Sequence, residues 1–213
     1  MANDGPPTSS EQFWDERYRS APQLWSGNPN PLVVDIASGL EPTTALDVGA
    51  GEGADAIWLA QHGWTVTAVD ISSVGLGRGQ AQAASLGPEI ADRITWIQAD
   101  VTEWLPPTGA FGLVSAQFMH MAGSVREPLF QRCFAAVAPG GTALIVGHDV
   151  SDLQTTIRRP PLPDLYFDAG DLAGTLDEGW TVLEAGRRAR SATDADGNDV
   201  TIHDAVVVAR RHG

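Results

Sequence analysis

The sequence predicts an α/β domain built on a doubly wound sheet, mostly parallel, that closes with a C-terminal antiparallel strand pair. Three observations lead there. From Thr44 to Gly147, short runs rich in Val, Ile, Leu and Ala alternate with helical segments, the pattern of parallel strands buried on both faces. The helical segments stop at Gly or Pro-Gly punctuation, namely Gly63, Gly87-Pro88 and Pro139-Gly140-Gly141, where a chain reverses onto the next strand. After Trp180, two strand-like runs are joined by Asp194-Ala195-Asp196-Gly197-Asn198 with no helix between them, which makes them a hairpin.

In chain order, residues 1–10 are polar with Gly and Pro and read as a disordered tail. They lack the basic-then-apolar pattern of a secretory leader, so a cytoplasmic protein is expected. Ser10 to Tyr18 reads as a short helix with Ser10 as its cap, Trp25 to Pro31 as a loop, and Leu32 to Gly39 as a second helix. Residues 11–43 thus form an N-terminal helical cap, and 44–213 form the core of the same single domain. In the core, Ala45–Val48, Val66–Asp70, Ile94–Gln98, Phe111–Ala116 and Thr142–Gly147 are strands. Ala54–His62, Gly75–Leu86 and Pro128–Val137 are helices. Trp180–Arg188 and Thr201–Arg210 form the hairpin, and Gly147 to Asp168 has no long regular pattern, as befits a lid.

Composition excludes several function classes. The chain has 213 residues and a formal net charge of −14, which repels phosphate backbones and anionic membrane surfaces. Its apolar runs are strand-length, far short of the roughly 20 residues of a membrane helix. No nucleic-acid or membrane partner is expected, and the chain reads as a monomer or homodimer. All 13 basic residues are arginine, so Schiff-base, P-loop and kinase-type lysine chemistries are excluded. Cys133 is single and sits on an apolar helical stripe, as a core thiol does.

The strongest motif is Asp47-Val48-Gly49-Ala50-Gly51-Glu52-Gly53-Ala54, between the first core strand and its helix. Glycines there allow a sharp turn and close approach of a ligand to backbone. Gly49-x-Gly51-x-x-Ala54 also satisfies the Rossmann dinucleotide fingerprint. Asp47 argues the other way, since it repels a pyrophosphate and attracts an ammonium. Asp70 ends the second strand, where a carboxylate can accept from ribose hydroxyls, and Asp100 follows the third, where one can accept from an adenine amino group. Three acids at successive strand tips mark the ligand crevice of an open α/β sheet.

With those residues in view, TALDVGAGEGADAIWLAQHGWTVTAVDIS, QADV, FGLVSAQFMHM and VAPGGTALIVGHD resemble successive motifs of the class I methyltransferases that use S-adenosylmethionine (SAM). FWDERY and WSGNPN resemble the N-terminal segment of their thiopurine- and tellurite-resistance-type branch. The resemblance implies SAM as cofactor on a Rossmann-like fold. It implies that Gly49, Ala50 and Gly51 line the methionine end, with Asp47 anchoring the amino group directly or through water. Asp70 would hold the ribose and Ile71 would pack on adenine, with Ala99, Asp100 and Val101 at the adenine edge. Gln117 and Phe118 would lie near the methionine amine, and Tyr18 and Trp25 would close over the cofactor.

A hydroxyl acceptor must lose its proton, and no lysine is present to take it. Of the five histidines, His62 ends a helix far from the crevice, His212 is terminal, and His203 begins the last strand. His148 and His120 follow the fifth and fourth strands. His148 is the expected general base and His120 the reserve. Asp149 would point away from His148 in an extended segment. A divalent metal is possible but not favoured, because Gln117-Phe118-Met119-His120 lacks the acid ligands that a hard cation prefers. The expected reaction is O-methylation of a small polar molecule such as a sugar. The alternatives are a thiol or other soft chalcogen acceptor and, behind it, an NAD(P)-dependent oxidoreductase.

Overall fold

The structure, a computed structural model, describes residues 10–213; residues 1–9, most of the expected tail, lie outside the described residues. Ser10 belongs to the first helix rather than to the tail. Its Oγ accepts from the Phe13 N–H at 3.2 Å and caps α1 (Glu11–Arg19). Asn30 does the same for α2 (Pro31–Ala37), where Pro31 occupies the first turn.

The strands are β1 (Thr44–Val48), β2 (Thr65–Asp70), β3 (Ile94–Gln98), β4 (Phe111–Gln117), β5 (Val137–His148), β6 (Trp180–Thr193) and β7 (Asp199–Arg211). They form one seven-stranded sheet in the order β3-β2-β1-β4-β5-β7-β6. The first five pair in parallel, while β7 runs antiparallel to both β5 and β6. Strand order reverses between β1 and β4, and a doubly wound sheet opens its ligand crevice at the carboxyl ends beside such a reversal.

Each face of the sheet is covered. On one, Phe130, Cys133 and Phe134 of α6 (Gly123–Ala136) pack with Leu172 of α7 (Ala169–Ala173) over Val114, Ile145 and Val207. On the other, Val33 of α2, Ile57 and Leu59 of α3 (Ala54–Gln61), and Trp64 pack over Ala45, Val66 and Leu144. Cys133 is 1% exposed, and burial pushes its thiol up to about 12, so it remains a neutral core side chain.

Several elements differ from expectation. Helix α6 begins at Gly123, with Pro128 inside it; the cost of one missing N–H is outweighed by burying Leu129, Phe130, Cys133 and Phe134. A short helix, α5 (Pro88–Ala91), follows α4 (Ser73–Ser85). Strand β5 starts at Val137, opposite Phe111, and the register shift that follows accommodates Pro139-Gly140-Gly141. The stretch after His148 contains two 3-10 turns, Val150–Gln154 and Pro163–Leu165.

One tertiary clamp carries the N-terminal cap onto the crevice. The Asp15 carboxylate, 5% exposed, accepts from Ser72 Oγ (2.6 Å), Ser73 Oγ (3.2 Å) and the Val74 N–H (3.3 Å). These donors open α4, so an anion is favourable there. Helix α1 is thereby fixed with Trp14 and Tyr18 over the sheet tips.

Two glycines of α4 separate propensity from packing. A Cβ on Gly77 would meet nothing within 4 Å, whereas one on Gly79 would lie 2.7 Å from Trp96 Cη2 and 2.8 Å from the Glu52 carbonyl oxygen. In urea unfolding, Gly77→Ala is expected to stabilise by about 0.5–1 kcal/mol. Gly79→Ala is expected to destabilise by about 1–3 kcal/mol despite the same gain in propensity. Stabilisation by both would contradict the packing of α4 on β3.

Candidate functional site

A cavity of about 880 Å³ lies over the carboxyl ends of β1, β2, β4 and β5. Of the residues singled out in the sequence, Tyr18, Trp25, Gly49, Ala50, Gly51, Asp70, Ile71, Asp100, Val101, Gln117, Phe118, His120 and His148 line it. Asp47 and Ala99 do not.

The glycine turn forms the floor. Gly49 and Gly51 have φ of +74° and +55°, a region that side chains other than glycine's seldom enter. Space forbids a Cβ as well, since it would lie 2.7 Å from Met119 Sδ at Gly49 and 2.6 Å from Tyr18 Oη at Gly51. The Gly49 and Ala50 N–H groups donate to the Val69 carbonyl at 2.8 and 3.0 Å. The Gly51 N–H donates to Asp70 Oδ2 at 2.8 Å, and the Ser72 N–H to Asp70 Oδ1 at 2.8 Å. Burial raises the Asp70 carboxyl, opposed by the N–H groups of Ser72, Gly51 and Ile71. Each of its oxygens keeps a lone pair for a ligand diol. Asp100 spends Oδ1 on the Thr102 N–H and Oγ1, at 2.8 and 2.7 Å, and no described residue bonds its Oδ2.

Of the acids beside the glycine turn, Asp55 reaches the cavity wall and Asp47 lies behind it. Alternation along β1 sends Asp47 to the α3 side with Ala45, where it is 2% exposed. Its Oδ2 has no hydrogen-bond partner among the described residues. Burial, and then the nearby Asp55 and Asp70, push its carboxyl well above the ordinary range. Asp55, in the first turn of α3, lines the cavity instead. It accepts from the Asn30 N–H, and burial pushes it up to about 6. Nothing in the spacing of the glycine motif singled Asp55 out. Ala99 packs into the core, and its N–H donates to the Asp70 carbonyl at 3.0 Å.

Above the floor, Trp25 Nε1 donates to Tyr18 Oη at 3.1 Å. Burial and then Asp70 hold the Tyr18 phenol far above its ordinary range, so it stays neutral. Trp25 is 47% exposed and forms the rim, with the Arg17 guanidinium 5.9 Å from its ring.

At the other end, Phe118 has φ +51°, a conformation that costs a bulky residue about 1–2 kcal/mol. The bend sets its ring 4.6 Å from that of His148, and the His120 ring lies 5.0 Å from that of His148, tilted by 32°. Burial, then His148, Arg159 and Arg17, hold His120 down at about 4, so it is neutral at physiological pH. His148 Nδ1 lies 3.8 Å from Asp204 Oδ1, and among the described residues each of these buried atoms has no hydrogen-bond partner. The β5–β7 register sets His148 directly opposite Asp204. Burial alone would raise the Asp204 carboxyl, but His148 and Arg190 outweigh it and hold it below the ordinary range. Asp149 turns away as expected, capping Ser151 and pairing with Arg187 Nε at 3.0 Å.

Among the described residues, no group of three or more His, Cys, Asp or Glu side chains could hold a metal ion, and no helix is long and apolar enough to cross a membrane.

Asp55→Asn removes a carboxylate whose ionisation the folded state opposes, while its amide oxygen can still accept from Asn30. With the folded value at about 6, above the unfolded 3.8, the ionised form costs stability fully above pH 6. The variant is therefore expected to be more stable than the parent by about 1–2 kcal/mol at pH 8, an advantage that fades as the pH falls through 6 toward 4. Thermal melts across that range check the sign; an advantage that grew on acidification would contradict it.

Residues 45–141 match the methyltransferase domain family. Over 148 residues the chain is 28% identical to a 2-heptyl-1-hydroxyquinolin-4(1H)-one methyltransferase of Mycobacteroides abscessus, covering 68% of this chain and 64% of that protein. It is 34% identical over 140 residues to a ubiquinone biosynthesis O-methyltransferase of Paracidovorax citrulli, covering 62% of this chain and 55% of the relative. The chain thus spans less than two thirds of the length of these curated relatives. Among solved structures, TehB from Haemophilus influenzae superposes with a TM-score of 0.69 at 19% identity, over 94% of this chain and 66% of that one. The 1,6-didemethyltoxoflavin-N1-methyltransferase of Burkholderia thailandensis, solved with its acceptor and S-adenosylhomocysteine, superposes at 0.66 and 19% identity, over 95% and 87%. The stretch that carries the glycine loop and the first parallel strands therefore matches a methyltransferase domain in sequence, and the whole topology matches the fold of solved methyltransferases.

Proposed function

We propose that this protein methylates a hydroxyl oxygen of a small, planar acceptor, with His148 as the base that takes the hydroxyl proton. The observation that carries the proposal is the His148–Asp204 pair, buried at one end of the cavity whose other end is the glycine turn. The O-methyltransferase name of the ubiquinone-pathway relatives supports an oxygen acceptor.

The residues present fit the cofactor. The acids at the glycine end, Asp55 at the wall and Asp47 behind it, would be drawn into their ionised form by an ammonium, whereas a pyrophosphate would oppose that ionisation. Asp70 would take the ribose diol, Ile71 and Val101 the faces of the adenine, and Asp100 its amino edge. Tyr18 and Trp25 would cover the cofactor and exclude water. When bound, SAM supplies an electrophilic methyl group on a sulfonium.

The protein's own part is alignment and proton removal. His148 would hold the acceptor's proton at Nε2 while donating Nδ1–H to Asp204, an orientation that a gap of 3.8 Å reaches with a small ring movement. His120, held at about 4, is a poor proton acceptor near neutral pH and serves better to orient the hydroxyl. Phe118, Met119, Met121 and Trp25 on the walls favour a flat aromatic acceptor over a polyhydroxylated sugar.

His148→Ala is expected to lower kcat for a phenolic acceptor by about 100-fold or more, with little change in the Kd of S-adenosylhomocysteine. Asp204→Asn is expected to cost roughly tenfold, since the partner that orients the imidazole is lost while the base remains. Full turnover of a thiol acceptor by His148→Ala, with no phenol turned over by the parent, would replace the hydroxyl reading with a soft-nucleophile one.

A further inference from the structure

Proton transfer leaves two arginines at the histidine end of the cavity without a role. Arg159 lies between the two 3-10 turns and Arg190 on β6, and both line the cavity beside His120 and His148. Each is fixed through Nε on a buried carboxylate: Arg159 on Asp152 Oδ2 at 3.4 Å, and Arg190 on Asp204 Oδ2 at 2.7 Å. Asp152 in turn accepts from the His203 N–H at 2.9 Å, so both carboxylates are referenced to neighbouring residues of β7. Among the described residues, neither arginine makes a hydrogen bond through Nη1 or Nη2.

The contrast with Arg188 is informative, because it lines the same cavity with its guanidinium spent on Glu184 and Asp35, at 2.6 to 2.8 Å. Arg159 and Arg190 are held in place with their outer edges open. A guanidinium edge presents paired N–H donors in the geometry of a carboxylate. Arg159 is also near enough to His120 to help depress it, so an anion on this edge would sit beside the imidazoles.

Charge bookkeeping selects the kind of anion. Asp152 and Asp204 already balance the two arginines, and His120, which burial holds neutral, adds nothing. A monoanion leaves this end of the cavity with a single negative charge; the proton that passes from the hydroxyl to His148 stays at this end, and the charge is cancelled only when the oxygen takes the methyl group from the sulfonium. A phosphate dianion would leave it negative throughout, inside a chain whose net charge is −14.

We propose that the acceptor is an aromatic hydroxy acid whose carboxylate docks on the open edges of Arg159 and Arg190 while its hydroxyl faces His148. This inference rests on the methyltransferase function proposed above and narrows its substrate class.

Calorimetric titration of the full chain, loaded with S-adenosylhomocysteine, tests it with ortho-, meta- and para-hydroxybenzoate and their methyl esters. At least one acid is expected to bind about tenfold tighter than its ester. Arg159→Gln and Arg190→Gln are each expected to erase that preference while the affinity for S-adenosylhomocysteine holds. If Arg190→Gln does not fold, because Asp204 loses its partner, Arg159→Gln decides alone. Equal or tighter binding of the esters, no binding of any acid, or a preference that survives in a folded Arg159→Gln would overturn the inference and leave the methyltransferase function standing. Failure of the parent protein to bind S-adenosylhomocysteine would overturn that function instead.

Discussion

The site depends first on the two hydrogen bonds that the Asp70 carboxylate accepts, one from Gly51 and one from Ser72. They tie the end of β2 to the loop after β1, and so give the glycine turn its shape and α4 its starting point. Burial works against this carboxylate, and backbone N–H groups offset the cost. A turn kept open by glycines that leave no room for a Cβ, beneath Tyr18 and Met119, is preorganised by the protein rather than by the ligand. Asp15, by holding α1 to the start of α4, extends the same arrangement to the aromatic cover.

From that floor the cavity divides electrostatically. Acids gather at the glycine end, where burial opposes the ionisation of Asp47, Asp55 and Asp70, and the latter two raise Asp47 further. Arginines gather at the histidine end, on β6 and the segment after β5. A cationic cofactor and an electron-rich acceptor would each meet the charge that suits it, with the reacting atoms between. The same division argues against a nicotinamide dinucleotide, whose pyrophosphate would lie over the acidic floor. The strain at Phe118 falls at the boundary between the two ends, where a bent backbone aims a ring at His148.

Much of this was legible in the sequence. The alternation of apolar strands and Gly-terminated helices, the hairpin at the end, and the glycine loop with acids at successive strand tips all follow from local patterning. What escaped depended on neighbours distant in sequence. Asp204 is invisible until the β5–β7 register sets it against His148, although an acid directly before the apolar run Ala205–Ala209 was a signal that could have been followed. Asp55 was missed because the motif drew attention to Asp47, yet alternation along β1 already put Asp47 on the same side as Ala45, off the cavity lining. Helices α5 and α7, of four and five residues, are too short for periodicity to register, and Pro128 misled because proline favours a first turn that packing here placed earlier.

The central claim is that the floor at Gly49–Gly51 receives a phosphate-free, cationic adenosyl ligand. Isothermal titration of the full chain with S-adenosylhomocysteine, and separately with NAD+ and NADP+, tests it most directly. The account predicts one-to-one binding of S-adenosylhomocysteine with a Kd of roughly micromolar or tighter and no heat from either dinucleotide. Comparable binding of a dinucleotide, with no binding of S-adenosylhomocysteine, would contradict it.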